Sequence, residues 1–263
     1  MKIGICGICG RMGLAILDIV LEKGHTLAAA FDVPETPNFG KDVSQIYSKC
    51  PAGIEIAAIN SQECDCIIDF SHHNATMELL KVLLNNKNKT SLVIGTTGFS
   101  EDQKNEIRKA SDLIPIVWSP SMSVGVNILF KLTEIASRAL NGNYDIEIFE
   151  AHHKFKKDAP SGTANKLFEI IRNSTPEMAD AKPVYGREGF TGERTKKEVG
   201  IMAMRAADIV GEHTVFMAGP GERLELTARS TSRATYAAGS VLAAEFLSGK
   251  QPKLYSMFDV LGL

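Results

Sequence analysis

The chain opens with a short apolar run, Lys2–Cys6, that passes without a spacer into Gly7-Ile8-Cys9-Gly10-Arg11-Met12-Gly13. Glycines three apart between a strand and a helix permit a tight turn, close backbone approach to a pyrophosphate and close helix–strand packing. The segment that follows, Met12–Lys23, carries Leu14, Leu17, Ile19, Val20 and Leu21 at helical spacing. Its N-terminus would aim amides and the positive end of the helix dipole at a phosphate. A plain strand–helix turn uses the same glycines, so the loop needs support from its surroundings.

The surroundings repeat the theme. Thr26–Phe31, Cys66–Phe70, Leu92–Ile94 and Ile114–Trp118 are further apolar runs. Thr76–Leu84 and Ser100–Ser111 between them predict helices, the second with Ser100 as N-cap and Gln103 completing a capping box. Strands separated by helices imply a parallel sheet with right-handed crossovers. Past Ser123 the pattern changes. A helix over Val126–Leu140, an alternating run Tyr144–Glu150 and a helix over Thr163–Arg172 lead to a polar, glycine-rich stretch, Pro183–Lys197. Three strand-like runs follow, Val199–Arg205, Glu212–Ala218 and Leu224–Ser230. The expected fold is therefore α/β: an N-terminal Rossmann-type parallel sheet, and a second α+β region with helix on a mixed or antiparallel sheet. Residues 1–123 form the expected dinucleotide-binding domain and 124–232 the substrate and oligomerisation domain. Residues 233–263, with the alanine-rich helix Ala234–Leu247, are expected to return to the first domain.

Charge and cysteine usage narrow the setting. A net charge of −2 gives no electrostatic basis for nucleic acid or an anionic membrane as partner. No apolar run reaches the length of a membrane span, and the N-terminus does not read as a signal peptide. Five cysteines fit reduced thiols in the cytoplasm. Cys6 and Cys9 make a C-x-x-C and Cys64 and Cys66 a C-x-C. A metal site or redox pair is conceivable there, but ordinary thiols are the better reading and no metal is expected. Cys9 is also placed where a helix N-terminus favours a thiolate.

Candidate cofactor contacts follow the strand ends. Asp32 ends the second apolar run, 25 residues after Gly7, near the ~20-residue offset of an acidic residue that holds the adenosine ribose. A solvated turn acid before Pro34 is the alternative. Gly95-Thr96-Thr97-Gly98 and Ser119-Pro120-Ser121-Met122 occupy equivalent places after the third and fourth of the later runs, where an open α/β sheet binds ligand. A carboxylate at Asp32 would repel the 2′-phosphate of NADPH, and Val33 offers no cation, whereas Arg11 could meet that phosphate. The balance favours NADH, with NADPH left open.

The densest chemistry is Glu150-Ala151-His152-His153-Lys154-Phe155-Lys156-Lys157-Asp158-Ala159-Pro160-Ser161-Gly162-Thr163-Ala164. A histidine can exchange protons near neutral pH. A lysine can stabilise or protonate a developing carbanion or enamine. Ser161-Gly162-Thr163 at a helix start can hold a carboxylate. A surface histidine pair beside a basic loop is the plainer reading. Adjacent histidines do not converge on a metal as an i, i+4 pair does.

This segment, E-A-H-H-x-x-K-x-D-A-P-S-G-T-A, resembles the signature of the dihydrodipicolinate reductase family. So do G-x-x-G-R-M-G, Gly95 to Gly98, Ser123-Val124-Gly125-Val126-Asn127, Asp208-Ile209-Val210-Gly211-Glu212-His213-Thr214 and Ala218-Gly219-Pro220-Gly221-Glu222-Arg223, in order along nearly the whole chain. The resemblance implies NAD(P)H-dependent reduction of a cyclic pyridine-2,6-dicarboxylate precursor in lysine biosynthesis, with water lost, by a homotetramer. It implies His152 as proton donor/acceptor, Lys156 as proton donor, His153 in contact with substrate, and Gly162 and Thr163 on a substrate carboxylate, with Ser161 in the same turn. Gly7, Ile8, Cys9, Gly10, Arg11, Met12, Asp32, Gly95, Thr96, Thr97, Ser119, Pro120, Ser121 and Met122 would line the cofactor. Two positions depart from some members: Val33 replaces an arginine, which puts a strong NADPH preference in doubt, and Met122 replaces an aromatic residue. A different two-domain nicotinamide dehydrogenase would lack the A-H-H-x-x-K…P-S-G-T segment. A non-catalytic NAD(H) sensor would have lost it or gained a DNA-binding module.

Overall fold

The computed structural model describes residues 1–85, 90–140 and 142–263. In chain order the elements are β1 (Lys2–Cys6), α1 (Arg11–Glu22), β2 (Thr26–Phe31), β3 (Ile56–Ala57), β4 (Cys66–Asp69), α2 (His73–Asn85), β5 (Ser91–Ile94), α3 (Glu101–Ala110), β6 (Pro115–Trp118) and α4 (Val124–Leu140). They continue with β7 (Asp145–His152), α5 (Gly162–Ser174), β8 (Lys182–Val184), β9 (Glu198–Arg205), β10 (Gly211–Gly219), β11 (Glu222–Ser230), α6 (Ala234–Leu247), β12 (Lys253–Tyr255) and α7 (Met257–Leu261). The chain forms two compact units: Met1–Val124 with Arg233–Leu263, and Gly125–Ser232.

Among the described residues, the first unit holds a seven-stranded sheet in the order β12-β6-β5-β4-β1-β2-β3, parallel at every pairing. The order reverses between β1 and β4, the switch point at which open α/β sheets present a ligand crevice. Side chains alternate across the strands, so each strand feeds two cores. Ile3, Ile5, Ile68, Val93 and Val117 face one way, onto Ile16, Leu17 and Val20 of α1 and Val241, Ala244 and Leu247 of α6. Cys6, Ile67, Leu92, Ile94 and Ile116 face the other, onto Leu79, Leu80 and Leu83 of α2 and Ile107 and Ala110 of α3. Burial on both faces explains why these strands read as unbroken apolar runs. The capping box of α3 is present, with Ser100 Oγ accepting from Gln103 N and Gln103 Oε1 from Ser100 N.

In the second unit the described residues form a five-stranded sheet, β11-β10-β7-β9-β8. It is mixed: β10 is antiparallel to β7 and β11, while β7, β9 and β8 run parallel. β7 extends past the alternating run to His152, because Ala151 still pairs with Glu212 of β10 and His152 with Arg205 of β9. His152 therefore ends a strand paired on both sides and does not belong to the loop that carries Lys156. β3, β8 and β12, of two or three residues, are too short to show a period.

α6 is apolar around its circumference and closes one face of the first sheet, against α1, β4, β5 and β6. Its approach depends on Gly239, where a Cβ would overlap the carbonyl oxygen of Met122. Gly239→Ala should therefore lower the unfolding free energy by about 1–3 kcal/mol, the range for overpacking a close-packed interior. Urea denaturation measures this, and a variant as stable as the parent would mean that α6 can slide.

Candidate active site

At the carboxyl edge of the first sheet, the loops are stitched to one another by backbone. Gly7 N and Ile8 N both donate to Phe31 O, at 2.8 and 3.2 Å, Phe70 N donates to Cys6 O at 3.1 Å, and Gly95 N to Asp69 O at 2.9 Å. Gly7 has φ +83°, and a Cβ there would lie 2.7 Å from Phe70 O. Gly13 admits none because it would overlap Gly7 O. Gly10 is the N-cap of α1 and supplies no capping side chain, and the first turn holds no acidic residue. The amides of that turn are thus left to an anion. Asp32 sits just past β2, with Oδ2 accepting from Cys9 N at 2.8 Å and Oδ1 from Val33 N at 2.9 Å. Each oxygen keeps a lone pair for a further donor. Thr96 and Ser119 are buried behind this edge. Met122 is core, its side chain packed in the α1/α6 cluster.

The Cys9 expectation is corrected. Burial raises its thiol above the usual range; a hydrogen bond with Thr36 opposes this and the Asp32 charge adds to it. Burial, and after it the carboxylate at the end of β2, work against a thiolate at the start of α1. All five cysteines are free thiols, and the described residues contain no cluster of three His, Cys, Asp or Glu side chains able to hold a metal.

Asp69, to which the sequence reading gives no role, ties this edge together. Its fully buried carboxylate accepts from Ser71 N at 3.0 Å, Ser71 Oγ at 2.5 Å, Thr76 Oγ1 at 2.5 Å and Thr96 Oγ1 at 3.1 Å. One side chain thus fixes the loop after β4, the start of α2 and the loop after β5. Burial pushes its carboxyl up, against the hydrogen bonds from Ser71, Thr76 and Thr96.

The second unit assembles a separate constellation around the end of β7. Glu150 is fully buried. Its Oε2 accepts from His152 Nδ1 at 2.6 Å and Arg205 Nη1 at 2.8 Å; its Oε1 accepts from Arg205 Nη2 at 2.8 Å and Ser161 N at 3.1 Å. Ser161 is the N-cap of α5, its hydroxyl accepting from Ala164 N at 3.2 Å and meeting His213 Nε2 at 3.0 Å. With its amide and hydroxyl so engaged, Ser161 shapes the turn, and the amides of Gly162 and Thr163 stand at the open N-terminus of α5. His152 stacks edge-on against His213 at 5.2 Å. His153 keeps a buried Nδ1 without a partner. Lys156 Nζ pairs with the exposed Asp158 at 2.9 Å, a contact worth about 0–1 kcal/mol that leaves the amine available.

Electrostatics sort these groups. Burial raises the Glu150 carboxyl, but the hydrogen bonds and charges of His152 and Arg205 outweigh it and hold the group down at about 2. Burial lowers His213 to about 3, helped by the charges of His152, Lys156 and Arg205 and opposed by Glu150. His213 is neutral and structural in the working range. The arrangement offers an ionised carboxylate bonded to a histidine, a lysine held only by a surface ion pair, and a helix N-terminus able to hold an anion: groups suited to moving a proton beside a bound anion.

Comparison with known proteins shows the family. The family description "Dihydrodipicolinate reductase, N-terminus" matches residues 1–122, and "Dihydrodipicolinate reductase, C-terminus" matches 125–261. The chain belongs to the dihydrodipicolinate reductase family. It is 46% identical over its whole length to the 4-hydroxy-tetrahydrodipicolinate reductase of Aromatoleum aromaticum, covering 96% of that protein. It is 45% identical to that of Ralstonia pickettii, covering all of both chains. Among solved structures it is similar to a dipicolinate-bound dihydrodipicolinate reductase from Paenisporosarcina sp. TG-14, with TM-score 0.75, 21% identity and 98% of each chain covered. An amine dehydrogenase from Mycobacterium smegmatis shares the fold at TM-score 0.61 and 10% identity. Like these reductases, the chain is a pyridine-nucleotide-dependent oxidoreductase. Glu150, Arg205 and His213 receive no role from the sequence reading, although Glu150 and His213 lie inside the motifs quoted for the family.

The acid sensitivity of this constellation has a defined sign. The unfolded chain takes up a proton near 6.5 that native His213 refuses until about 3. Stability therefore falls as pH drops below 6.5, by about 1.4 kcal/mol per pH unit per proton. Glu150, depressed to about 2, adds to the loss only below its ordinary value of 4.5. In His213→Gln the slope of unfolding free energy between pH 6.5 and 4.5 should shrink by about one proton, read from urea titrations at each pH. An unchanged slope would mean that His213 protonates freely in the native state.

Proposed function

We propose that this chain reduces 4-hydroxy-tetrahydrodipicolinate to tetrahydrodipicolinate in the diaminopimelate route of lysine biosynthesis, consuming one hydride and one proton and releasing one water. The reading rests on full-length identity of 45–46% to reductases of that name, in a chain that keeps the His152, Lys156 and Ser161–Thr163 constellation.

The first unit fits a dinucleotide. The uncapped amides of α1, the turn at Gly7 and the carboxylate of Asp32 match a pyrophosphate and a ribose, and when bound the reduced nicotinamide supplies the hydride. Gly7 to Met12 would hold the pyrophosphate, Asp32 the ribose, and Gly95 to Thr97 and Ser119 to Met122 the rest of the cofactor. Asp32 and the missing cation at Val33 favour NADH. In the second unit, Gly162 and Thr163 would hold one substrate carboxylate on the N-terminus of α5, and His153 would contact the substrate. Lys156 and His152 would deliver the proton to the carbanion or enamine left by reduction.

Two further readings belong here. Large apolar side chains of the second unit stand exposed at Tyr185, Phe190, Met204 and Leu224, which suits burial in a homotetramer. Free thiols suit a cytoplasmic setting; among the described residues no helix is long and apolar enough to cross a membrane.

The test is oxidation of NADH, followed by absorbance, only when freshly made hydroxy-tetrahydrodipicolinate is present; cofactor binding without turnover would favour the sensor reading. His152→Ala and Lys156→Ala should each cut kcat by about 10²–10⁴-fold and leave NADH affinity unchanged. Near-normal single-turnover rates in both would end the assignment. Asp32→Ala should weaken NADH about 10- to 100-fold and NADPH less. Because Asp32 also braces the Cys9 amide, an equal loss for both cofactors would mean it supports the loop alone.

A further inference from the structure

We propose that Glu150 and Arg205 are the positioning pair of this site, and that they set which nitrogen of His152 carries the proton it delivers. The inference rests on the catalytic reading of His152 given above. Four donors converge on the Glu150 carboxylate: two guanidinium nitrogens, the Ser161 amide and His152 Nδ1. The first three can only donate. Against an ionised carboxylate, Nδ1 must donate as well, because an acceptor nitrogen at 2.6 Å would face a lone pair. The imidazole is thereby fixed as the Nδ1–H form, with Nε2 as its working nitrogen.

The same pair fixes the rest of the site. Arg205 Nη2 also donates to Asp158 O at 2.6 Å, and Nη1 to Met204 O at 2.7 Å. Its fork thus clamps the loop carrying Lys156 to the end of β9. Ser161 N on Oε1 places the first turn of α5, where the Gly162 and Thr163 amides lie. One buried carboxylate therefore sets the acid, the amine's loop and the anion-binding turn, and Arg205 is the fork that matches it bidentately.

Glutamine cannot substitute. Its amide nitrogen would meet an Arg205 donor whichever way it turned, with Ser161 N beside it at one end, and at the other end a neutral His152 could meet it only by moving its proton to Nε2. Glu150→Gln should lower kcat within the ~10²–10⁴-fold range that a general acid supplies, leave NADH affinity unchanged, and raise KM for the dicarboxylate. In a His152→Ala background the same substitution should cost clearly less in kcat than in the parent, because the part of its effect that acts through His152 is already gone. Arg205→Lys keeps the charge and loses the fork, and should show the same pattern more weakly. The signature independent of activity is ¹⁵N NMR of the histidine rings. In the unaltered protein, neutral His152 should hold its proton on Nδ1, and in Glu150→Gln this preference should be lost or reversed. This measurement on the unaltered protein decides the case even if the variants fail to fold. An Nε2–H ring there, or losses in the double variant that multiply, overturns the positioning role. Full turnover by His152→Ala overturns the catalytic reading instead, and leaves the NMR result to judge the pair.

Discussion

The carbonyl of Gly7 and the missing Cβ of Gly13 occupy neighbouring space, and this contact lets α1 seat directly on the end of β1. With α1 in place, Ile16, Leu17 and Val20 reach Ile3 and Ile5, and the first-turn amides stand at the carboxyl edge of the sheet. The remaining loops are set relative to this turn: Phe31 O receives its amides, Phe70 N donates to Cys6 O at the end of β1, and Asp32 accepts the Cys9 amide. Backbone shapes this turn, and the Asp32 and Asp69 carboxylates join the neighbouring loops into the same edge.

Each unit also contains a fully buried carboxylate, and the two are used differently. Asp69 meets three hydroxyls and an amide, donors that rotate or carry no charge. Burial dominates, and its carboxyl is raised. Glu150 meets a guanidinium, an amide and an imidazole, and its carboxyl is lowered. An ion pair taken out of water costs several kcal/mol unless every lone pair is engaged; Glu150 satisfies that condition with four donors. Such a group adds little net stability compared with an apolar core, but it tolerates only one arrangement of its neighbours.

Much of the fold was legible because its signals are local. Strands buried on both faces read as apolar runs, the α3 capping box sits within four residues, and the glycine loop follows its strand directly. What escaped was non-local. β3, β8 and β12 exist by pairing with longer strands. His152 belongs to a strand because β7 stays paired with β9 as far as that residue, where the sequence reading ended the run at Glu150. In the candidate site, His152, Lys156 and Ser161 share one segment and were found together. Arg205 lies 55 residues from Glu150, and His213 lies 52 residues from Ser161. No spacing rule connects them; only the strand order β10-β7-β9 does. Cys9 shows the opposite failure: the local rule about helix N-termini was applied without the burial of the thiol and the neighbouring Asp32 carboxylate, which together raise it.

The first unit is written in two pieces, Met1–Val124 and Arg233–Leu263, with the whole second unit between them. During synthesis the N-terminal piece leaves the ribosome long before α6 and β12 exist. Until they arrive, Ile68, Val93 and Val117 lack their cover of Val241, Ala244 and Leu247, and β6 is an open edge. The second unit, contiguous in the chain, can complete itself first. The first unit is then the last part of the molecule to close, and a nascent chain stalled within its final thirty or so residues presents apolar surface to chaperones and proteases at the stage when its second unit is already built.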